Sequence, residues 1–420
     1  MNHLRKAASA AISMCAIVTV LAACGGPQKG QTPKAGGSDS ASSNCPSSAS
    51  KMITGDIKIG ISSPLSGQLA ALGQLSVGLN KYADYINSQG GVDGHKLDVT
   101  VLDDKGDPSQ AVANAQKLIS DGVDLLAGTS STPQNLAIAP IAVQSCVPDI
   151  FLAAGDATLA SGKYPGVLPA TTTFAAEAKA VTADILKQKP SGATLGIVAV
   201  QTDTGTGVSS LLKAAAEAAG IKVLPIQTLP SAQTTFPATQ LQALADKADF
   251  LELATSPNQC SVGLNALAQS GWKPTTTYVI DQCAFPSALK PAGANANNVR
   301  SVTYLIDPCS PAYADRPDVK TYLQAAGPQS TSVDTCGFAA VGWINGAGTA
   351  AVIKNAIASG KLTQNSLIEA AQSLKNVTLP LLPDGVTGST TKTSMNPWNS
   401  IAVVRYNDGN WTSLSTVPVK

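Results

Sequence analysis

Apolar positions fall into a repeating order of short strand-like runs and longer helix-like segments. Ile57-Lys58-Ile59-Gly60-Ile61 is a compact apolar run, closed by the turn Ser62-Ser63-Pro64-Leu65-Ser66-Gly67. Residues 68–88 follow, with Leu72, Leu75, Leu79, Tyr82 and Ile86 at steps of three and four. Such steps place side chains on one face of a helix. Gly90-Gly91 stops that helix, and residues 96–102 alternate as a second strand. Asp107-Pro108 opens the next helix, because Asp caps free N–H groups and Pro suits the first helical position. Residues 123–127, a helix over 134–145 and the run 147–152 continue the rhythm. Strand–helix alternation predicts a parallel, doubly wound sheet. Ligands of such sheets lie at the carboxyl ends of the strands. Three turns stand there, around Ser66, around Ser130-Ser131-Thr132 and around Ala153-Ala154-Gly155-Asp156. Their glycines and short hydroxyls suit a small polar ligand, although the same residue types also cap helices.

Residues 168–173 read as a crossing into a second unit of the same kind. It contains strands Thr194–Val200, 222–228, Phe250–Ala254 and 277–280, with helices at 205–219, 239–245 and 261–270. Residues 301–306 return to the first unit, which helices at Pro317–Ala326, 336–358 and 364–374 complete. Residues 398–406 and 410–414, joined by Asn407-Asp408-Gly409, form a terminal hairpin. It is placed in the second unit, after a third crossing. The expected fold is α/β, with two doubly wound parallel-sheet lobes on a three-crossing hinge. Lobe 1 is 53–171 plus 304–385, and lobe 2 is 172–303 plus 386–420. This length exceeds the roughly 250–300 residues that one core usually serves. The cleft between the lobes is the expected ligand site.

The amino terminus changes the picture. Arg5 and Lys6 precede the apolar run 7–23, which ends Leu21-Ala22-Ala23-Cys24. Residues 1–23 read as a signal peptide with a lipobox-like end. The reading makes Cys24 the site of lipidation and the membrane anchor. An ordinary secretory signal with a chance cysteine is the alternative. The stretch 24–52 is rich in Gly, Ser, Pro and Gln and reads as a flexible tether.

Charge and cysteines narrow the class. Losing Arg5 and Lys6 with the leader takes 28 basic residues to 26, against 27 acidic ones. No basic stripe argues for nucleic acid. Of 8 cysteines, Cys15 leaves with the leader and Cys24 takes the lipid. The remaining six, an even number in an exported chain, predict disulfides. Sequence alone leaves connectivity open, but sheet geometry narrows it. Cys45 and Cys146 lie on the side away from the strand carboxyl ends, while Cys260 and Cys283 each follow a strand. Cys309 follows residues 301–306, and Cys336 opens a helix. The favoured pairs are Cys45–Cys146, Cys260–Cys283 and Cys309–Cys336, against unpaired buried thiols. Metal binding is disfavoured by the long spacings.

Two segments carry a resemblance. They are Ile86-Asn87-Ser88-Gln89-Gly90-Gly91-Val92-Asp93-Gly94-His95-Lys96-Leu97 and Asp103-Asp104-Lys105-Gly106-Asp107-Pro108-Ser109-Gln110-Ala111-Val112. Together they resemble the type I periplasmic solute-binding proteins of the branched-chain amino-acid-binding group, in its bacterial lipoprotein form. The resemblance implies an extracytoplasmic protein that delivers a small polar ligand to an ABC permease. A sensor of the same fold, or a binder of an aromatic acid or polyol, is the alternative. By position, Ser131 and Thr132 with Ala153 and Ala154 resemble the family's carboxylate anchor. The family's amine partners fall on Gly155 and Gln282, with Asp156 and Asp281 beside them. Two cleft tyrosines fall on Leu72 and Thr204. Ser66, Ser130 and Ser256 at strand-end turns, and Phe338 near the cleft, complete the candidate set. Phe285 and Trp343 are the other rings near cleft-facing ends.

Catalysis is not expected. The 2 histidines are His3, in the leader, and His95, in a turn away from the cleft. No Ser–His or Cys–His pair forms at the cleft from these, and no Gly-x-Ser-x-Gly elbow or Walker-type loop is present. No cofactor is implied.

Overall fold

The computed structural model describes residues 45–231, 233, 235–330 and 333–420. The leader, Cys24 and the tether up to residue 44 lie outside the described residues. Among the described residues, no helix is long and apolar enough to cross a membrane.

The first half alternates β1 (Ile57–Ser63), α1 (Gln74–Ser88), β2 (Leu97–Asp103), α2 (Pro108–Ser120) and β3 (Leu125–Ala127). It continues with α3 (Thr132–Ser145), β4 (Asp149–Leu152), α4 (Ala157–Ala160) and β5 (Val167–Pro169). The five strands form one parallel sheet in the order β2-β1-β3-β4-β5. Asp107 caps α2 as its sequence predicts, accepting from the N–H groups of Ser109 and Gln110. The helix expected from residue 68 begins as a short 3-10 turn, Ala70–Gly73, and becomes α1 only at Gln74. β5 forms where the sequence pattern predicts only a crossing.

The second sheet is fed by α5 (Phe174–Gln188), β6 (Thr194–Val200), α6 (Asp203–Ala218), β7 (Lys222–Val223) and β8 (Gln227–Leu229). Then come α7 (Ala238–Leu244), β9 (Phe250–Ala254), α8 (Pro257–Ser270), β10 (Thr276–Val279), α9 (Pro286–Leu289) and β11 (Arg300–Thr303). The single strand expected over 222–228 is two, because Pro225 between them has no N–H to give a neighbour. β11 does not return to the first sheet. It pairs parallel with β10 and antiparallel with β12 (Ser400–Asn407), which turns at Asp408-Gly409 into β13 (Asn410–Pro418). The order is β13-β12-β11-β10-β9-β6-β7, with β8 beside β6.

Between β11 and β12 the chain forms α10 (Pro317–Ala326), α11 (Phe338–Ala358) and α12 (Gln364–Ala371). α11 lies against α1 at backbone contact. A Cβ on Gly78 would stand 1.9 Å from Ala339 O, and one on Gly342 would stand 1.9 Å from Leu75 O. Trp343 of α11 is buried among Tyr82, Tyr85 and Tyr322, in the core and away from the cleft. The disulfides pair as the sheet geometry indicates: Cys45–Cys146, Cys260–Cys283 and Cys309–Cys336, with Cα separations of 5.6, 6.2 and 5.4 Å. His95 sits in a turn and lies 2.7 Å from Gly55 O through Nδ1.

Candidate functional site

The turn from β3 into α3 shapes one wall of the site. Asn135, one turn into α3, reaches back and donates to Thr129 O at 3.0 Å and Ser131 O at 2.8 Å. This holds Ser131 at φ 78°, where a residue other than glycine is uncommon. Strain of that kind persists where surrounding contacts impose it, and it clusters at ligand sites. Ser130 bridges to Ala153 on the neighbouring strand end, so the two turns lie side by side. Gly155 is required by contact: a Cβ there would fall 2.2 Å from the Phe174 ring. Thr173 caps α5 by accepting from Ala176 N–H, and Thr171 and Thr172 are left at the cleft.

These pieces meet the second sheet across an enclosed cavity of about 40 Å³, by the space open to the centre of a water molecule. From the first half come Leu72, Ser130, Ser131, Ala153, Ala154 and Gly155. Asp281 and Gln282 face them from the end of β10, and Phe338 closes one side. The mouth is held by the Phe285 and Phe338 rings, 4.8 Å apart, and by Ser287 Oγ donating to Asp334 Oδ2 at 3.0 Å.

The wall chemistry is specific. The hydroxyls of Ser130, Thr171, Thr172 and Tyr304 are buried and have no protein partner. Each such group is costly unless something satisfies it. Tyr304 is held flat against Trp398, with the rings 5.1 Å apart and 15° from parallel. Asp281 is the only charged side chain lining the cavity among the described residues. It is part-buried; burial pushes its carboxyl up to about 7, while the Gln282 N–H pulls the other way. Beneath it, Glu177 is raised well above the usual carboxylate range by burial and then by Asp281 and Glu252. Burial pushes Glu252 up to about 8.

Five of the candidate residues stand elsewhere. Ser66 is exposed and donates to Asp103 Oδ2 at 2.6 Å. Thr132 is buried at the start of α3, outside the cavity wall, with its hydroxyl unpartnered. The Asp156 carboxylate caps α4, accepting from Thr158 N–H at 2.7 Å. Thr204 lies in the first turn of α6, and Ser256 forms the capping box of α8 with Gln259. For Ser66, Asp156 and Ser256 the local needs of a turn or helix start use the side chain. Residues that sequence reading missed are Thr171, Thr172, Phe174 and Tyr304 on the wall and Glu177 behind it. A run of three threonines ahead of Phe174 was the available signal.

Two doubly wound lobes enclosing a cavity at their strand ends define the type I periplasmic binding protein fold. The profile of the periplasmic binding protein family matches residues 56–410, and the chain belongs to that family. A Leu/Ile/Val-binding protein of Rhizobium johnstonii is 26% identical over 197 residues, covering 47% of this chain and 53% of that protein. The chain thus spans about half the length of the curated relatives it matches. A Thermus thermophilus branched-chain amino acid ABC transporter structure with bound valine superposes with a TM-score of 0.76 at 15% identity, over 86% of this chain and 95% of that one. A fatty acid ABC transporter substrate-binding protein from Thermomonospora curvata gives 0.74 at 21% identity, over 87% and 93%.

Proposed function

We propose that this chain is a lipid-anchored extracytoplasmic solute-binding protein that hands a compact amino acid with an apolar side chain to an ABC-type importer. The observation that carries this reading is one cavity in which unpartnered hydroxyls face a carboxyl. Ser130, Thr171 and Thr172 lie on one side and Asp281 on the other. α3 begins at Thr132, so its N-terminal N–H groups and the Ser130 hydroxyl suit a carboxylate. Asp281 suits an ammonium group. Leu72, Leu75, Phe174 and Phe285 suit an aliphatic or aromatic body. Names of the relatives agree in kind, since they are Leu/Ile/Val-binding proteins.

We take residues 53–171 with 304–385 as one lobe and 172–303 with 386–420 as the other. Closure is then a population shift favoured by contacts such as Ser287–Asp334 and Phe285–Phe338. The ligand enters when they part.

A second reading is an aliphatic or aromatic acid without an ammonium group. The apolar lining favours it, and so does the likeness to a protein described as a fatty acid binder. A thermal-shift screen with L-leucine, L-phenylalanine, 4-methylpentanoate and glucose tests both. A ligand at 100 times its Kd stabilises by about 2.7 kcal/mol. Silence from all amino acids and acids overturns both readings. Recovery of the bound compound unchanged after long incubation separates binding from turnover. Cys24→Ala is expected to release the folded protein from membranes, and a variant that resists a salt wash removes the lipid anchor from the proposal.

A further inference from the structure

Behind the Asp281 wall lies a set of carboxyls that ligand contact alone does not use. Glu177 of α5 is 1% exposed. Its Oε1 accepts from Asp281 N–H at 2.9 Å, and its Oε2 has no protein partner. Glu252 of β9 is also 1% exposed, and neither of its oxygens has a protein partner. Register places Ile197, Glu252 and Tyr278 side by side across β6, β9 and β10, on the face that α5 covers.

The other charged groups on this face are already engaged or stand apart. Arg300 of β11 holds Asp184 of α5 at 2.7 and 2.9 Å, and Tyr278 donates to the same carboxylate at 2.6 Å. Arg405 of β12 stands opposite Arg300. Among the described residues, none of Glu177, Glu252 and Asp281 has an ion pair. The groups facing Asp281 across the cavity are the neutral hydroxyls of Ser130, Thr171 and Thr172. Tyr304, its own hydroxyl buried and unpartnered, lies on the same wall. Glu252, buried with neither cation nor donor, and Glu177, buried with one N–H and no cation, are costly as carboxylates and keep their protons, and the part-buried Asp281 stands in front of them with no cation of its own.

We propose that the cleft takes a ligand's cationic nitrogen by proton exchange. Asp281 is protonated in the ligand-free cleft, and its proton leaves to solvent as the nitrogen arrives. Glu177 positions the exchange by holding the Asp281 backbone and by denying a second negative charge. The inference rests on the ligand reading above and sharpens it: one positive charge enters as one leaves, so the buried site keeps its net charge. The burial of Asp281 places the exchange near neutrality.

Calorimetry of the whole protein with L-leucine at pH 6, in phosphate and in Bis-Tris, reads the protons directly. Release of about one proton per leucine is expected, and affinity falling about tenfold per pH unit below the midpoint. The deaminated probe 4-methylpentanoate is expected to release none. Asp281→Asn abolishes release. Glu177→Gln, which keeps an acceptor for the Asp281 N–H and is neutral like the protonated acid it replaces, weakens leucine less than Asp281→Asn does and leaves the midpoint near neutrality. A leucine complex that forms at pH 6 without proton release overturns the proposal. If neither probe binds, the ligand reading fails and the exchange is judged on the ligand-free protein by carboxyl ¹³C NMR. Titration of Asp281 near neutrality, in the unsubstituted protein and in Glu177→Gln alike, upholds the protonated wall; an ordinary carboxylate titration in both proteins overturns it.

Discussion

The two walls of the cleft hold polar groups by unlike means. The wall at the ends of β3, β4 and β5 offers hydroxyls and the start of a helix, with the hydroxyl oxygens of Ser130, Thr171 and Thr172 buried. The wall at the ends of β9 and β10 offers a carboxyl backed by two more. A hydroxyl donates or accepts at any pH, whereas a carboxyl changes role when it gains or loses a proton. On the proposed reading, the hydroxyl wall at Ser130 takes an acidic end and the Asp281 wall takes a cationic one. Sensitivity to pH is confined to one wall.

That asymmetry can be broken most severely through stability. Glu252 stays neutral in the folded protein up to about 8, while in the unfolded chain it ionises in the ordinary range near ~4.3. The folded form thus binds more protons over that window. Its contribution is full below the unfolded value and is lost as pH rises through the folded one, with a limiting slope of about 1.4 kcal/mol per pH unit. Urea denaturation at pH 5, 6.5 and 8 is expected to show stability falling, with Glu252→Gln flattening part of the fall. A level wild-type profile would remove the acidic wall's distinct character. Next in size, Asp281→Asn is expected to cost L-leucine about 1.5–3 kcal/mol, or roughly 10- to 100-fold in Kd, at pH 8. Thr172→Val removes a neutral hydrogen bond of about 0.5–1.5 kcal/mol, and its effect should be equal at pH 6 and pH 8 by calorimetry. A pH-dependent loss there would place a titrating group on the hydroxyl wall. Smallest, Phe285→Ala removes a ring pair worth about 0.5–1.5 kcal/mol at the mouth. It should show as faster ligand release by stopped flow, with little change in pH response.

The strands were legible because buried parallel strands are short apolar runs, and Thr194–Val200 and Phe250–Ala254 stand in the structure where their residues put them. α5 was not legible. Its buried face carries Glu177, Thr182 and Asp184 beside Val181 and Ile185, so no apolar stripe marks it. Glu177, one of the acids that hide the helix, is also one of those that distinguish the second wall. Strand-end turns gave Ser130, Ser131 and Ala153 to Gly155, because topology alone brings them to the cleft. Topology did not say which hydroxyl of a turn faces inward. Ser131 is turned by a positive φ that Asn135 enforces, and Asp156 is claimed by the N–H of Thr158. Tyr304 lies just past β11 on the way out of the second sheet, where strand and helix periodicity carry no information.

The bond from Cys45 to Cys146 has a mechanical consequence. Cys146 is the left-handed residue that ends α3, and α3 runs from there to the Ser131 turn. A pull on the chain ahead of Cys45 is passed covalently to the foot of that helix. The short segment from Cys45 to β1, held by Ile53 N–H to Leu362 O and by the buried Ala49, shares that load with the disulfide. The load enters one lobe at a single fixed point, at the opposite end of α3 from the cleft. On the proposed lobes and anchor, the first lobe would be the mount and the second the arm that moves.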